Sequence, residues 1–220
     1  MSDAPMPRKR FGEVTGVSEI TLDRLDRYES LLLKWQKAIN LVGPKTLHDL
    51  WVRHFLDSAQ FWRHAPSTAK SLVDIGSGGG FPGLVLAALA ADPAIGSPGF
   101  HCHLVESDQR KASFLREAAR VMALSGVTVH AARIESLNGL DVDLVTARAC
   151  APLPQLLVWA DPFLACGAVG LFAKGSQAAA EMVGIKGYRI ERIDSATDPD
   201  GCLLRIERLA HERQGHDAAA

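Results

Sequence analysis

The chain has 220 residues, 47% of them apolar, and a formal net charge of −1. That length holds one α/β domain with a sizeable core and a small extension, and the near-neutral charge leaves any nucleic-acid contact to local basic patches. No apolar run reaches the roughly 20 residues that span a bilayer, so no membrane contact is expected, and the four cysteines (Cys102, Cys150, Cys166, Cys202) form no C-x-x-C, which argues against a zinc site or a disulfide scaffold and suits a reducing, cytoplasmic location.

The N-terminal stretch MSDAPMPRKRFGE is charged and lacks an apolar h-region, so it is not expected to be a signal peptide. Residues 1–17 are expected to lack fixed structure, with a small basic cluster at Arg8, Lys9 and Arg10. Over 18–64 the pattern predicts a helical cap. Ser18 is placed to cap a helix running to about Asn40, with Leu22, Leu25, Leu32, Trp35 and Ile39 on its buried side. Gly43 and Pro44 end it, and Thr46 is placed to cap a second helix, Leu47 to His64. Residues 65–70 connect to a domain over 71–209 in which strands and helices alternate, the pattern of a parallel sheet covered on both faces. Strands are predicted at 72–75, 101–106, 127–131, 143–147 and 168–173, with helices at 82–91, 109–124, 154–164 and 178–183 between them. Two last strands, 188–193 and 203–208, are joined by the turn Asp198-Pro199-Asp200-Gly201 and should form an antiparallel hairpin. The tail, 210–220, is expected to be disordered.

The most informative stretch is LVDIGSGGGFPGL, Leu72 to Leu84: a strand, a glycine turn and a helix start. Glycines permit positive φ and close approach of a ligand to the main chain, and the N–H groups of the following helical turn point beyond the strand end. Gly78, Gly80 and Gly83 match the dinucleotide pattern G-x-G-x-x-G, a weak signal alone, and no G-K-[ST] is present. Asp74 at the strand end would repel a pyrophosphate but suit an ammonium group. S-adenosylmethionine carries an ammonium and a sulfonium and no phosphate.

Ligands of open parallel sheets bind beyond the carboxyl ends of the strands. Glu106 closes the second strand, where it can accept hydrogen bonds from ribose hydroxyls. After the third strand come Arg133, Ile134 and Glu135, an apolar side chain to flank an adenine and an acidic one to read its edge. Arg148 closes the fourth strand, suited to a bidentate pair with a carboxylate. Lys174 closes the fifth and, like Arg133, is a candidate substrate contact, facing a phosphate.

The segments N-L-V at 40–42, R-H-F-L-D-S at 53–58, D-I-G-S-G-G-G-F-P-G at 74–83, R-I-E at 133–135 and A-R-A at 147–149 together resemble the RsmG (GidB) family, over about residues 18–209. The resemblance implies a class I S-adenosylmethionine-dependent methyltransferase fold, Rossmann-like, with an N-terminal helical cap. It also implies methylation of N7 of a guanine, guanine-527, in 16S ribosomal RNA, with the free RNA or the small ribosomal subunit as partner and the enzyme a monomer. Gly76, Gly78, Phe81, Ile134, Glu135 and Arg148 match the family's cofactor-binding positions. Ala132 and Ala147 replace the family's frequent Gly and Ser.

Guanine N7 is an unprotonated acceptor, so methylating it requires alignment more than acid–base groups, and no catalytic residue is expected. The segment after the fourth strand, A-R-A-C-A-P-L-P, lacks the N-P-P-Y of amino-group methyltransferases. Cys150 is the competing possibility, as a nucleophile toward a pyrimidine. His54 and Asp57 are placed to hydrogen-bond each other and to fix the cap. Residues 1–63 hold ten Lys/Arg against eight Asp/Glu, too even a balance for a basic arm. Methylation of another RNA base or of a small molecule, a cofactor-binding RNA module without catalysis, and an NAD(P) dehydrogenase are the alternatives.

Overall fold

The computed structural model describes residues 7–137 and 139–209; what the sequence suggests for 1–6 and 210–220 lies outside them. Five strands run parallel, β1 (Ser71–Ile75), β2 (His101–Val105), β3 (Val127–His130), β4 (Leu144–Arg148) and β5 (Val169–Lys174). β6 (Tyr188–Asp194) and β7 (Cys202–Arg208) form the antiparallel hairpin, and β7 pairs with β5, giving the order β3-β2-β1-β4-β5-β7-β6. Parallel strands covered on both faces are largely apolar, which makes the central β1, β4 and β5 readable; β3, at the sheet edge, is half-buried.

The helices are α1 (Pro7–Thr15), α2 (Glu19–Gln36), α3 (Asp57–His64), α4 (Gly83–Ala90), α5 (Gln109–Val121), α6 (Leu153–Ala165) and α7 (Ala178–Met182). One sheet face, with Leu72, Leu104, Leu144, Leu171 and Leu203, shares a single core with α4, α5 and the N-terminal helices. The other, with Val73, Ile75, Val105, Val145, Phe172 and Ile206, packs on α6. Each such leucine or valine, removed from water, contributes roughly 2 kcal/mol. The N-terminal helices continue the layer beside the sheet and pack against the main domain: Tyr28 of α2 packs against Phe55, Phe81 and Phe114.

Several local expectations are corrected. Residues 7–15, expected to be unstructured, form α1, because Phe11 is buried and Arg8 binds Glu19, Asp23 and Asp26 on α2. α2 ends at Gln36, not Asn40. The Gln36 side chain takes the N–H groups of Leu41 and Val42 and donates to the Val42 carbonyl, so N-L-V at 40–42 is held as a turn. The helix expected over 47–64 is a tight 3-10 stretch (Pro44–Asp49), a widened one (Trp51–Leu56) and then α3. Ser18 stands at the start of α2, but both its N–H and its hydroxyl bind Asp92 instead of capping the helix.

Candidate active site

The glycine turn follows β1 as expected and is fastened from three sides. Ser77 N–H donates to Val105 O at 3.0 Å, Gly78 N–H donates to a Glu106 carboxylate oxygen at 2.9 Å, and the Tyr28 hydroxyl donates to Gly79 O. A side chain at Gly79 would stand 2.9 Å from Leu41 O, so the N-L-V turn presses on this loop directly. Tyr28 escapes a sequence reading focused on aliphatic residues, although it lies three after Leu25 and four before Leu32 on the buried stripe.

A cleft of about 90 Å³ opens beside the turn, lined among others by Gly76, Glu106, Arg133, Ile134, Glu135 and Trp159. Five of the expected site residues therefore converge. Glu106 is buried, its two oxygens taking the N–H groups of Gly78 and Asp108 at 2.9 and 2.8 Å. Ile134 is buried in the 3-10 turn that ends the β3 connection. Trp159 Nε1–H donates to Glu135 at 2.7 Å and fixes that carboxylate at the rim. Trp159 was not anticipated. The signal was a tryptophan on α6 outside the buried register Leu156, Leu157, Ala160 and Leu164.

Asp74 is placed differently from the expectation. It shares strand parity with Leu72, so it points to the α4 side and is fully buried, not presented to a ligand ammonium. Thr146 Oγ1 donates to its Oδ1 at 2.7 Å, and Oδ2 has no hydrogen-bond partner. Burial pushes its carboxyl up to about 6 against the pull of Thr146. A Cβ at Gly83 would stand 2.7 Å from Oδ2, which explains glycine at the start of α4.

Arg148 lies outside the small cleft and fastens the N-terminal helices to the end of β4. Its Nη1 donates to Arg53 O at 3.0 Å and to Asp57 Oδ2 at 2.9 Å, and its Nη2 to His54 Nδ1 at 2.5 Å. His54 and Asp57 thus meet through Arg148, with no direct hydrogen bond between them. Because a guanidinium only donates, His54 Nδ1 must be unprotonated. Its proton sits on Nε2 and goes to Thr46 Oγ1, whose own proton goes to Gly43 O. Thr46 consequently caps no helix. Of the five guanidinium hydrogens, three are used here, leaving the Nε–H and one on Nη2. Phe81 is buried beneath, with Arg148 Cζ 5.0 Å from its ring centre and His54 and Tyr28 against it.

Burial, then Arg148, holds His54 down at about 3. With a folded value below the ordinary 6.5, His54 contributes stability that is whole above pH 6.5 and is lost as the pH falls toward 3. Asp74, raised to about 6, has the opposite sign: its contribution is whole below about pH 4 and is lost as pH rises through 6. His54→Gln removes only the first. Relative to the unaltered protein it should gain stability between pH 6.5 and 5, by about 2 kcal/mol at most; equal urea midpoint differences at both pH values would contradict this.

Lys174, expected to face a substrate phosphate, is 9% exposed and paired with Glu181 at 2.6 Å while donating to Ala151 O at 2.9 Å. With Arg148 it borders a second cavity, of about 430 Å³, at the ends of β4 and β5. Cys150 lines the small cleft with its sulfur over Gly76. Desolvation, then Asp74 and Glu106, push its thiol up to about 11, the wrong direction for a nucleophile. Cys150→Ser should leave methyl transfer within about threefold of normal; abolished transfer would reinstate a covalent mechanism.

Comparisons with known proteins give the family and the fold. The family model described as "GidB: rRNA small subunit methyltransferase G" matches residues 21–190. The chain is 50% identical to the ribosomal RNA small subunit methyltransferase G of Rhodospirillum centenum over 203 residues, 91% of this chain and 90% of that one. It is also 50% identical to the protein of that name from Paramagnetospirillum magneticum over 202 residues, 90% and 94% of the two chains. Among solved structures, a putative O-methyltransferase from Klebsiella pneumoniae superposes with a TM-score of 0.58 at 17% identity, covering 84% of this chain and 90% of that one, a likeness of fold.

Proposed function

The chain belongs to the GidB family, the rRNA small subunit methyltransferases G, and on that premise we propose that it transfers the methyl group of S-adenosylmethionine to N7 of a guanine in 16S ribosomal RNA, at guanine-527. The residues at the strand ends fit that cofactor. Gly76 and Gly78 let the main chain approach it, and Glu106 has lone pairs left for the ribose hydroxyls after serving Gly78 and Asp108. Ile134 flanks the adenine and Glu135 reads its edge; Arg148, which borders the neighbouring larger cavity and not this cleft, offers its two remaining N–H groups to the carboxylate at the boundary that Ala149 and Cys150 form, supported from below by Phe81. The observation that carries this reading is the charge of the cleft, which Glu106 and Glu135 both line with Arg133 as the sole cation among the lining residues. A diphosphate would be repelled by two carboxylates there; a phosphate-free cofactor, with hydroxyls to donate to them, would not.

S-adenosylmethionine supplies a methyl carbon bonded to a positively charged sulfur. The N7 lone pair forms the new bond to that carbon, and the carbon–sulfur pair returns to sulfur. No proton leaves, so the chain has only to align the two and keep water out. Arg133 at the rim, exposed and beside the cleft, is placed to meet RNA phosphate. The RNA or small subunit as partner, a monomeric enzyme and action in the cytoplasm complete the reading.

The test is radiolabelled methyl transfer to naked 16S RNA, to small subunits and to a small-molecule panel, with the modified nucleotide mapped by chemical cleavage at N7-methylguanine. One labelled guanine at the stated position is expected. Label on another base, on small molecules alone, or nowhere would overturn the proposal, and calorimetry should show S-adenosylmethionine binding where NAD does not.

A further inference from the structure

Resting on the function just proposed, we infer that the 430 Å³ cavity at the ends of β4 and β5 seats the target guanine, and that Lys174 and Glu181 read its Watson–Crick edge. The cavity is separated from the cofactor cleft by a single step of chain: Ala149 lines the one and Cys150 the other. Ala149 holds φ +49°, a conformation that costs a residue with a Cβ about 1 kcal/mol or more and is kept where the chain must kink. A flat group in the cavity would therefore lie against the edge of a molecule in the cleft.

The carboxylates around the cavity differ in what they have left to offer. Asp57 is spent: Oδ1 takes Gln60 and Thr197, and Oδ2 takes Arg148. Asp198 is loosely paired with Arg53 at 3.7 Å near solvent. Glu181 is different. Its Oε2 takes both Leu153 N–H at 2.5 Å and Lys174 Nζ at 2.6 Å, and among the described residues its Oε1 takes no hydrogen bond. Lys174 gives two of its three hydrogens to Ala151 O and Glu181 and keeps one. One side of the cavity thus presents an unused cationic donor next to an unused anionic acceptor, on side chains only 9% and 22% exposed.

Guanine carries the complement on adjacent atoms: O6 accepts and N1–H donates. Adenine, going round from N7, presents donor before acceptor, and fits only with N7 turned away. Holding O6 and N1–H leaves N7, on the other side of O6, free for the methyl group. The same contact demands that the guanine be out of any Watson–Crick pair, so the substrate is a guanine in a loop or one flipped from its stack. Lys174 then serves as a base contact and not as the phosphate contact anticipated from sequence.

The test uses the full chain with two small-subunit RNAs, one unaltered and one carrying 1-methylguanine at the mapped position, and compares E181Q with the unaltered protein. E181Q keeps an acceptor for Leu153 but turns a donor toward N1–H. We expect kcat/KM on the unaltered RNA to fall at least tenfold, with S-adenosylmethionine affinity by calorimetry within twofold. The 1-methylguanine RNA should take no methyl at N7. Undiminished N7 methylation of that RNA, or an E181Q kcat/KM equal to the unaltered protein's, would overturn the assignment. If E181Q fails to fold, the modified RNA decides with the unaltered protein. Failure of the unaltered protein to methylate guanine at all is a separate outcome that defeats the parent reading.

Discussion

Gly76→Ala should lower methyl transfer at least about a hundredfold, a loss of about 3 kcal/mol in transition-state stabilisation. Gly76 sits at φ +67°, where an L-residue is strained, and the added methyl would overlap the Cys150 sulfur and stand 3.2 Å from Cys150 Cβ. The sulfur's escape is into the cleft lined by Glu106 and Ile134, the space assigned to the cofactor. Two costs are therefore separable. In Gly76→Ala combined with Cys150→Ala the overlap with the sulfur disappears, leaving the backbone penalty, about 1 kcal/mol, and the 3.2 Å contact with the Cβ at 150. Calorimetry with S-adenosylmethionine on the single and double variants measures the difference. Equal losses in both would show that the sulfur is not what the glycine accommodates.

Arg148→Met should destabilise the protein by about 3–5 kcal/mol, the usual result of removing one member of a desolvated ion pair. The Arg148 and Asp57 side chains are 15% and 16% exposed, and the change strands the Asp57 oxygen at once. It also takes the Arg148 donor from His54 Nδ1 and from the Arg53 carbonyl. Arg148→Lys is not expected to rescue, since one ammonium cannot span three acceptors in fixed fork geometry. Urea unfolding checks the stability, and methyl transfer at low temperature, where the variant stays folded, checks the site. A variant within 1 kcal/mol of normal would reduce the network to a surface contact.

The sheet was legible because parallel strands covered on both faces read as largely apolar runs bounded by turns, and the glycine turn because few ligands need that many flexible positions in a row. The addresses of the site residues were legible too: Glu106, Ile134, Glu135 and Gly76 do converge beyond the strand ends. Orientation was not. Asp74 at the strand end reads as facing a ligand, yet alternation along β1 sends it with Leu72 toward α4. The partners of Arg148 and Lys174 come from segments about ninety and seven residues away, His54 and Glu181, and no local pattern announces them. α1 escaped for the same reason: its amino acids are mostly polar, and what fixes it is Arg8 reaching three carboxylates on the next helix.

The place of β7 between β5 and β6 has a consequence for synthesis. A chain that stops short of Cys202 has β6 without a neighbour and β5 with a bare row of main-chain donors and acceptors, the kind of open border that recruits other chains. Thr197, which reaches Asp57 across 140 positions, would be adrift as well. A nascent polypeptide of this sequence therefore stays prone to clumping, and unable to close its larger cavity, until nearly all the described segment has left the ribosome.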